Sequence, residues 1–363
     1  MATPFYRSTV LRFAPAVLLL AALAVIADPG VVQQAEDLRV SKPEAALALL
    51  DLHIGEPAEF ESSDFDSEQA RNQARLLELR VRILRDIGRR EDAAADAARF
   101  ERIAEALEDS VRQARAQYLR GTIEAESGDI AGALERFHDA RRTLEDTDAT
   151  TELARVTNAL GVAHNFTDNY ERAREYYEQA LEIVQRTENR KLENTILGNL
   201  ALVIAELEGA EAGLAAHREA LALARELDDS EGIAAQLANI CKRLVQTDHL
   251  NEAITTCPEA LERVERLGNT RLMAGTRMSL GDLDRARGEL TVARQDYQAA
   301  LALAENRIPS VETELLEKLA ALDEQQGNSE QALDRLRRLM QLREDLLERE
   351  RASLIEELEV RYR

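Results

Sequence analysis

Tryptophan is absent, and aromatic residues make up only 4% of the 363. Glycine (16) and proline (7) are scarce. So few breakers, with Ala, Leu, Glu and Arg in surplus, predict helix along nearly the whole chain. Two cysteines exclude a disulfide-scaffolded mini-domain. Only four lysines occur and the net charge is −22. A nucleic-acid binder is excluded as the default, because nothing here would neutralise a phosphate backbone. The charge favours basic or neutral partners, drawn by a steering that salt weakens. Hydrophobic residues at 45% and charged residues at 31% still give a core-forming composition. No Gly-rich phosphate loop, HExxH, CxxC, GxSxG or EF-hand spacing occurs. No cofactor, metal or catalytic constellation is therefore expected, and a non-enzymatic role is.

Arg7 and Arg12 precede an apolar run over residues 13–27, too short for a comfortable membrane span. The run ends Val25-Ile26-Ala27 before Asp28-Pro29-Gly30. Residues 1–27 read as a secretory signal peptide cleaved after Ala27, with an uncleaved anchor as the alternative. No cysteine follows to carry a lipid. The remaining chain is expected to be exported to the periplasm. It would meet the membrane only through a downstream span.

Small residues then recur at one step of forty: Gly121, Gly161, Ala201, Cys241 and Gly281. Extrapolation reaches Val81 and Ala321. Two further series keep the same step, Ala133, Ala173, Gly213, Ala253 and Ala293, and Ala140, Ala180, Ala220, Ala260 and Ala300. Within one unit, Leu153, Val156, Leu160 and Ala163 share a helical face. Asp168-Asn169 then breaks the pattern, and Tyr170, Ala173, Tyr177, Ala180 and Val184 mark a second amphipathic helix. The small positions let helix backbones approach and the large ones fill the space between. A lone hairpin cannot bury this surface, so hairpins must stack in series. Residues 53–67 read as a loop, and Pro258 falls inside a second helix, tolerated with a local bend.

The segments Leu160-Gly161 … Asn169-Tyr170-Glu171-Arg172-Ala173 … Tyr176-Tyr177-Glu178-Gln179-Ala180-Leu181, Gly121 … Gly128-Asp129 … Ala133 … Phe137 … Ala140 and Leu280-Gly281 … Gly288 … Ala293 … Tyr297 … Ala300-Leu301 resemble tetratricopeptide repeats. The longer period resembles that of kinesin light chains and MalT-like regulators. This implies an all-α, right-handed superhelical solenoid of about seven to eight hairpins over residues 28–328, best defined at 110–306. It also implies a concave groove, lined by the first helices, that binds a protein or peptide. Asn199 and Asn239, in Gly198-Asn199-Leu200-Ala201 and Ala238-Asn239-Ile240-Cys241, resemble the asparagine with which kinesin light chains hold cargo backbone. An amide offers both donor and acceptor, so a ladder of them can hold an extended chain. Asn158, Arg155, Lys242, Asn165 and Tyr118 are expected on the same side. The alternative for all seven is solvation or hydrogen bonding between helices. The Lys/Asn pairs of chaperone-type carboxylate clamps are absent; Glu78/Arg82, Tyr118/Thr122, Asn158/Val162 and Gly198/Leu202 stand there instead.

Cys241 and Cys257 fall in one hairpin, one on each helix. Export permits a disulfide. A turn near Asp248, however, sets Cys257 level with residue 238, and helix axes 8–10 Å apart then suggest a Cα separation above about 7 Å. On that geometry they are two small buried thiols. His53, His138, His164, His217 and His249 are scattered, with His164 and His217 on packing faces. They read as packed histidines, a pH switch being the alternative.

From Ser329 no breaker follows to the end, which predicts one long helix over residues 329–363. Met340, Leu347 and Leu354 are seven apart, with Ile355, Leu358 and Tyr362 continuing the stripe. A parallel two-helix coil, hence a homodimer, is the natural expectation. Arg343-Glu344-Asp345-Leu346-Leu347 … Arg349-Glu350-Arg351 … Ile355-Glu356-Glu357-Leu358-Glu359 … Tyr362 is similar to the juxtamembrane helix of bacterial receptors. These carry an exported tetratricopeptide sensor ahead of a diguanylate cyclase or histidine kinase, and neither output motif occurs in this sequence. The expectation is a periplasmic interaction and sensor module signalling through its last helix. A stand-alone envelope scaffold is the alternative.

Overall fold

The computed structural model describes residues 29–39, 42–54, 67–305 and 307–361. The expected signal peptide, most of the loop expected at 53–67, and Tyr362 lie outside the described residues. Sixteen helices and no strand occur among the described residues. They run α1 Pro29–Arg39, α2 Pro43–Asp51, α3 Ser67–Asp86, α4 Arg90–Ala106, α5 Ser110–Ser127, α6 Ile130–Glu145, α7 Thr150–Phe166, α8 Tyr170–Val184, α9 Arg190–Glu208, α10 Ala210–Glu226, α11 Ser230–Gln246, α12 Leu250–Leu267, α13 Thr270–Ala286, α14 Leu290–Ala304, α15 Pro309–Gln325 and α16 Ser329–Arg361. No described helix is long and apolar enough to cross a membrane.

The period sets the punctuation. Turns between paired helices carry a positive-φ residue at multiples of forty, Gly128, Asp168, Asp248 and Gly288, with Gly209 one residue off the series between them. A short polar Asp tolerates that conformation where a β-branched residue would not. Asp109, Asp129, Asn189 and Asn269 then cap the helices that follow them, each accepting from a backbone N–H three residues on at 2.9–3.1 Å. Successive helices pair into eight antiparallel hairpins, stacked in order. There is no single core. Separate apolar clusters join each hairpin to the next, as a quasi-one-dimensional solenoid requires. First helices of neighbouring hairpins touch one another along most of the chain, whereas second helices do not. The first helices therefore line the inner, concave side.

Within a hairpin the closest approach pairs residue i with residue i+16. A Cβ on Gly121 would lie 2.7 Å from the Phe137 ring, and one on Gly161 or Gly281 would lie 2.5 Å from the ring of Tyr177 or Tyr297. In the hairpin between, Cys241 and Cys257 occupy the same two positions and form a disulfide, with Cα atoms 4.9 Å apart. This corrects the expectation of free thiols. The hairpin turns about His249, so Cys257 is level with Cys241 itself. Facing Cα atoms also sit inside their axes by the helix radius of about 2.3 Å each, so an axial spacing of 8–10 Å leaves roughly 3.4–5.4 Å between them.

Two other expectations shift. The last hairpin is one residue early, α13 and α15 starting at Thr270 and Pro309. The small position is therefore the buried Ala320, and Ala321 is exposed. Pro258 lies on the exposed side of α12, which runs on to Leu267. The backbone bond it removes faces solvent.

Two predictions follow from this packing. Gly161→Ala drives a methyl into a buried ring that cannot move aside, an overpacking of about 1–3 kcal/mol that exceeds the roughly 1 kcal/mol gained in helix propensity. Gly275→Ala, in mid-helix with nothing within 4 Å of its added Cβ, keeps only the gain. Urea midpoints should fall for the first and rise for the second. Reduction, or Cys241→Ala with Cys257→Ala, should lower stability by about 3 kcal/mol, the worth of closing a loop of this length. Urea titration with and without reductant measures it, and an unchanged midpoint would count against the bond.

Candidate functional site

The inner face changes character along its length. Near the N-terminal end, Arg115 on α5 joins Glu78 on α3 (3.5 Å) to Glu152 on α7. Near the C-terminal end, Lys318 on α15 holds both oxygens of Asp282 on α13 at 3.0 Å, and the Tyr297 hydroxyl donates to Asp282 at 2.7 Å. Ion pairs spanning one repeat thus hold both ends, and Arg243 on α11 makes another in the middle, to Glu206 on α9 at 3.2 Å. Two cations of the middle stay outside these links. Arg155 on α7, in the register of Arg115, and Lys242 on α11, in the register of Asp282, are exposed and have no ion-pair partner among the described residues.

Between these cations stand the asparagines. The Asn199 amide donates to Asn158 Oδ1 at 3.0 Å, linking α9 to α7. Hydrogen bonding between helices and a ladder facing a ligand are therefore compatible here. The pair leaves the Asn158 NH2 and the Asn199 carbonyl oxygen unspent, one donor group and one acceptor. Asn239, one repeat on, is half-buried and its side chain has no hydrogen bond among the described residues. Asn165 is half-buried one residue before the end of α7. Tyr118 sits differently. Its ring packs on Phe137, centroids 6.1 Å apart, and joins two apolar clusters that together span the first to fourth hairpins. The structure groups Asn158, Asn199, Arg155, Asn239 and Lys242 on one stretch of the inner face, and it ties Tyr118 into packing.

Side-chain contacts between distant hairpins close the curve. Arg39 at the end of α1 meets Asp86 at 2.7 Å and Glu231 of α11 at 3.0 Å. Arg90 donates to the Arg307 carbonyl at 3.3 Å. The ribbon of hairpins therefore curls until its early turns touch the edge of the sixth and eighth hairpins. Sequence reading missed these contacts. The 37-residue steps Glu78–Arg115–Glu152 and Glu206–Arg243 are a sequence signal for links between neighbouring first helices, not for these distant contacts.

Behind the Asn ladder lies a buried polar network. His217, fully buried, donates from Nδ1 to Gln236 Oε1 at 2.9 Å, and its Nε2 has no partner. Gly198 leaves the room that the Gln236 amide fills. Asn194 donates to the Ala220 carbonyl. His217 takes the position that Phe137, Tyr177 and Tyr297 hold elsewhere, with Ala201 rather than glycine sixteen residues before it. A second group lies apart from the ladder: His164 stacks on Tyr176 at 5.3 Å and His138 meets that ring edge-on at 6.3 Å. Burial, with Arg141 and Arg142 for His138 and Arg172 for His164, holds both imidazoles below their ordinary pKa. No group of three or more metal-ligating side chains occurs among the described residues.

Burial pushes His217 down from 6.5 to about 4. Unfolded chain then binds more protons than native chain between those values. The contribution is whole above pH ~6.5 and is lost progressively toward pH ~4, up to about 3 kcal/mol. His217→Gln should flatten urea stability against pH across that window, and an unaltered slope would show that other groups set it.

Residues 112–186 match the tetratricopeptide repeat family model. No curated protein sequence matches the chain. Among solved structures, the fold is similar to a Rap protein crystallised with Competence and Sporulation Factor, at 14% identity and TM-score 0.63, covering 88% of this chain and 98% of that one. It is similar to the Rap conjugation gene regulator of plasmid pLS20 in complex with the Phr* peptide, at 14% identity and TM-score 0.65, covering 88% and 95%. A signal transduction ATPase with a tetratricopeptide repeat sensor from Pyrococcus horikoshii aligns at 15% identity and TM-score 0.53, covering 92% of this chain and 52% of that one. At such identities the likeness establishes the fold, a right-handed solenoid of tetratricopeptide type.

Proposed function

We propose that this tetratricopeptide-repeat chain is a peptide-binding regulatory module of the periplasm, which holds an extended protein segment along its inner face and responds through its last helix. The observation that carries the reading is the Asn158–Asn199 amide pair, set between exposed Arg155 and Lys242, which have no ion-pair partner among the described residues, on an inner face that ion pairs bridge elsewhere. Free amide donors and acceptors match the backbone of an extended peptide, and the two cations match its carbonyls or a carboxylate. Of the proteins of similar fold, one was solved with the Phr* peptide and another with Competence and Sporulation Factor. The Cys241–Cys257 disulfide supports an oxidising compartment, in line with the charged-then-apolar N-terminus. Occupancy would alter solenoid curvature and so the geometry of α16, through which two copies pair.

A displayed library of random decapeptides, selected on the full chain, supplies the test. Affinity of a selected peptide should fall at least tenfold for Asn199→Ala with Asn239→Ala, and again for Arg155→Glu, with helicity unchanged; two lost hydrogen bonds of about 1 kcal/mol each are enough. Peptides that bind both variants as well as the parent would overturn the groove reading. Recovery of the oxidised chain in the cytoplasmic fraction would overturn the periplasmic one.

A further inference from the structure

Each second helix but the last is covered by the first helix of the following hairpin. On α16, Ala332 and Leu339 are buried against the solenoid. One position on, about 100° round the helix, Leu333 (48% exposed), Met340 (71%) and Leu347 (48%) form a stripe at seven-residue steps, with Leu336 beside it. Four of the eight large hydrophobic residues exposed among the described residues fall on this one helix, so they form a patch rather than isolated positions. The stripe is symmetrical, leucine standing seven residues either side of Met340.

We propose that a second copy of this chain covers the stripe, the two α16 helices packing antiparallel about a two-fold axis at Met340. Leu333 of each copy meets Leu347 of the other, an isologous contact that closes at two. This rests on the pairing of copies stated above, and is independent of the groove. The charges select the direction. Glu330, Arg337, Glu344 and Arg351 flank the stripe in one exposed row that alternates in sign every seven residues. In an antiparallel pair this row faces itself reversed, so Arg337 lies by Glu344 of the second copy and Glu330 by its Arg351. A parallel pair turns the row instead toward Leu336 and Arg343, and Arg343 already binds Glu317 on α15. Among the described residues Arg337 is held only by Asp334, at 3.4 Å with both side chains about 70% exposed, a weak competitor. The parallel coil expected from heptad spacing is thereby replaced by end-to-end joining of two solenoids. The two α16 C-termini then point in opposite directions.

Cysteine cross-linking of the full chain decides the matter, because Cys241 and Cys257 are consumed by their own bond and an added thiol is the only free one. Under mild oxidation, an equal mixture of Leu333→Cys and Leu347→Cys, one carrying a mass tag, should give the mixed dimer as the main product. Met340→Cys alone should also dimerise. Efficient cross-linking of Leu333→Cys to itself would overturn the antiparallel direction. A monomeric parent chain in light scattering at tens of micromolar would overturn the pairing altogether. Met340→Glu should halve the mass while leaving affinity for a selected decapeptide unchanged, which separates failure of this interface from failure of the groove.

Discussion

Everything in this molecule depends on one contact, repeated: the approach of two antiparallel helices at residues sixteen apart. A solenoid has no deep centre, so each hairpin must be held by its own closest point. Where that point is glycine against a ring, as at Gly121–Phe137, Gly161–Tyr177 and Gly281–Tyr297, backbone and aromatic face replace each other's solvent. Where it is Cys241–Cys257, a covalent bond takes the place of the ring. Where it is Ala201 and His217, the pair is less well filled, and a buried amide network occupies the space. Small and large are coupled, so neither member can change alone.

Charge is the second organising force. A chain this acidic would repel itself if its carboxylates were left unmatched. Its arginines therefore bridge successive first helices, at separations near one repeat, and these links run along the inner face. Arg155 and Lys242 stand out against that background, exposed and without an ion-pair partner among the described residues, while the neighbouring Arg243 bridges to Glu206. The proposed groove is thus defined as much by these two unengaged cations as by the asparagines between them. On the eighth hairpin, α16 keeps an apolar face that none of the described residues covers. The proposed binding face and the proposed pairing face are the inner side and the end of the same ribbon, so a change of curvature would be felt at both.

Much of this was legible along the chain. The forty-residue step gave the hairpins, their order and the inner helices, because a periodic sequence makes every local choice several times and errors in one copy are corrected by the others. The candidate site was legible in part. Asn199 and Asn239 stand out by recurrence, and Arg155, Asn158 and Lys242 follow by helical spacing. Tyr118 shares that spacing yet packs against Phe137, since a half-buried ring goes wherever the neighbouring hairpin leaves apolar space.

The sequence by itself determined the local structure: helix composition, the Asp and Asn caps, the left-handed turn residues and the need to stack. These depend on neighbours within about one turn or one hairpin. Tertiary structure alone decided the Cys241–Cys257 bond, the one-residue shift to Ala320, the contact of Arg39 with Glu231 across 192 residues, and which side of α16 stays bare. Each of these depends on angstrom-scale axial spacing or on small rotations summed over many repeats. A residue pattern records the period of those rotations but not their accumulated angle.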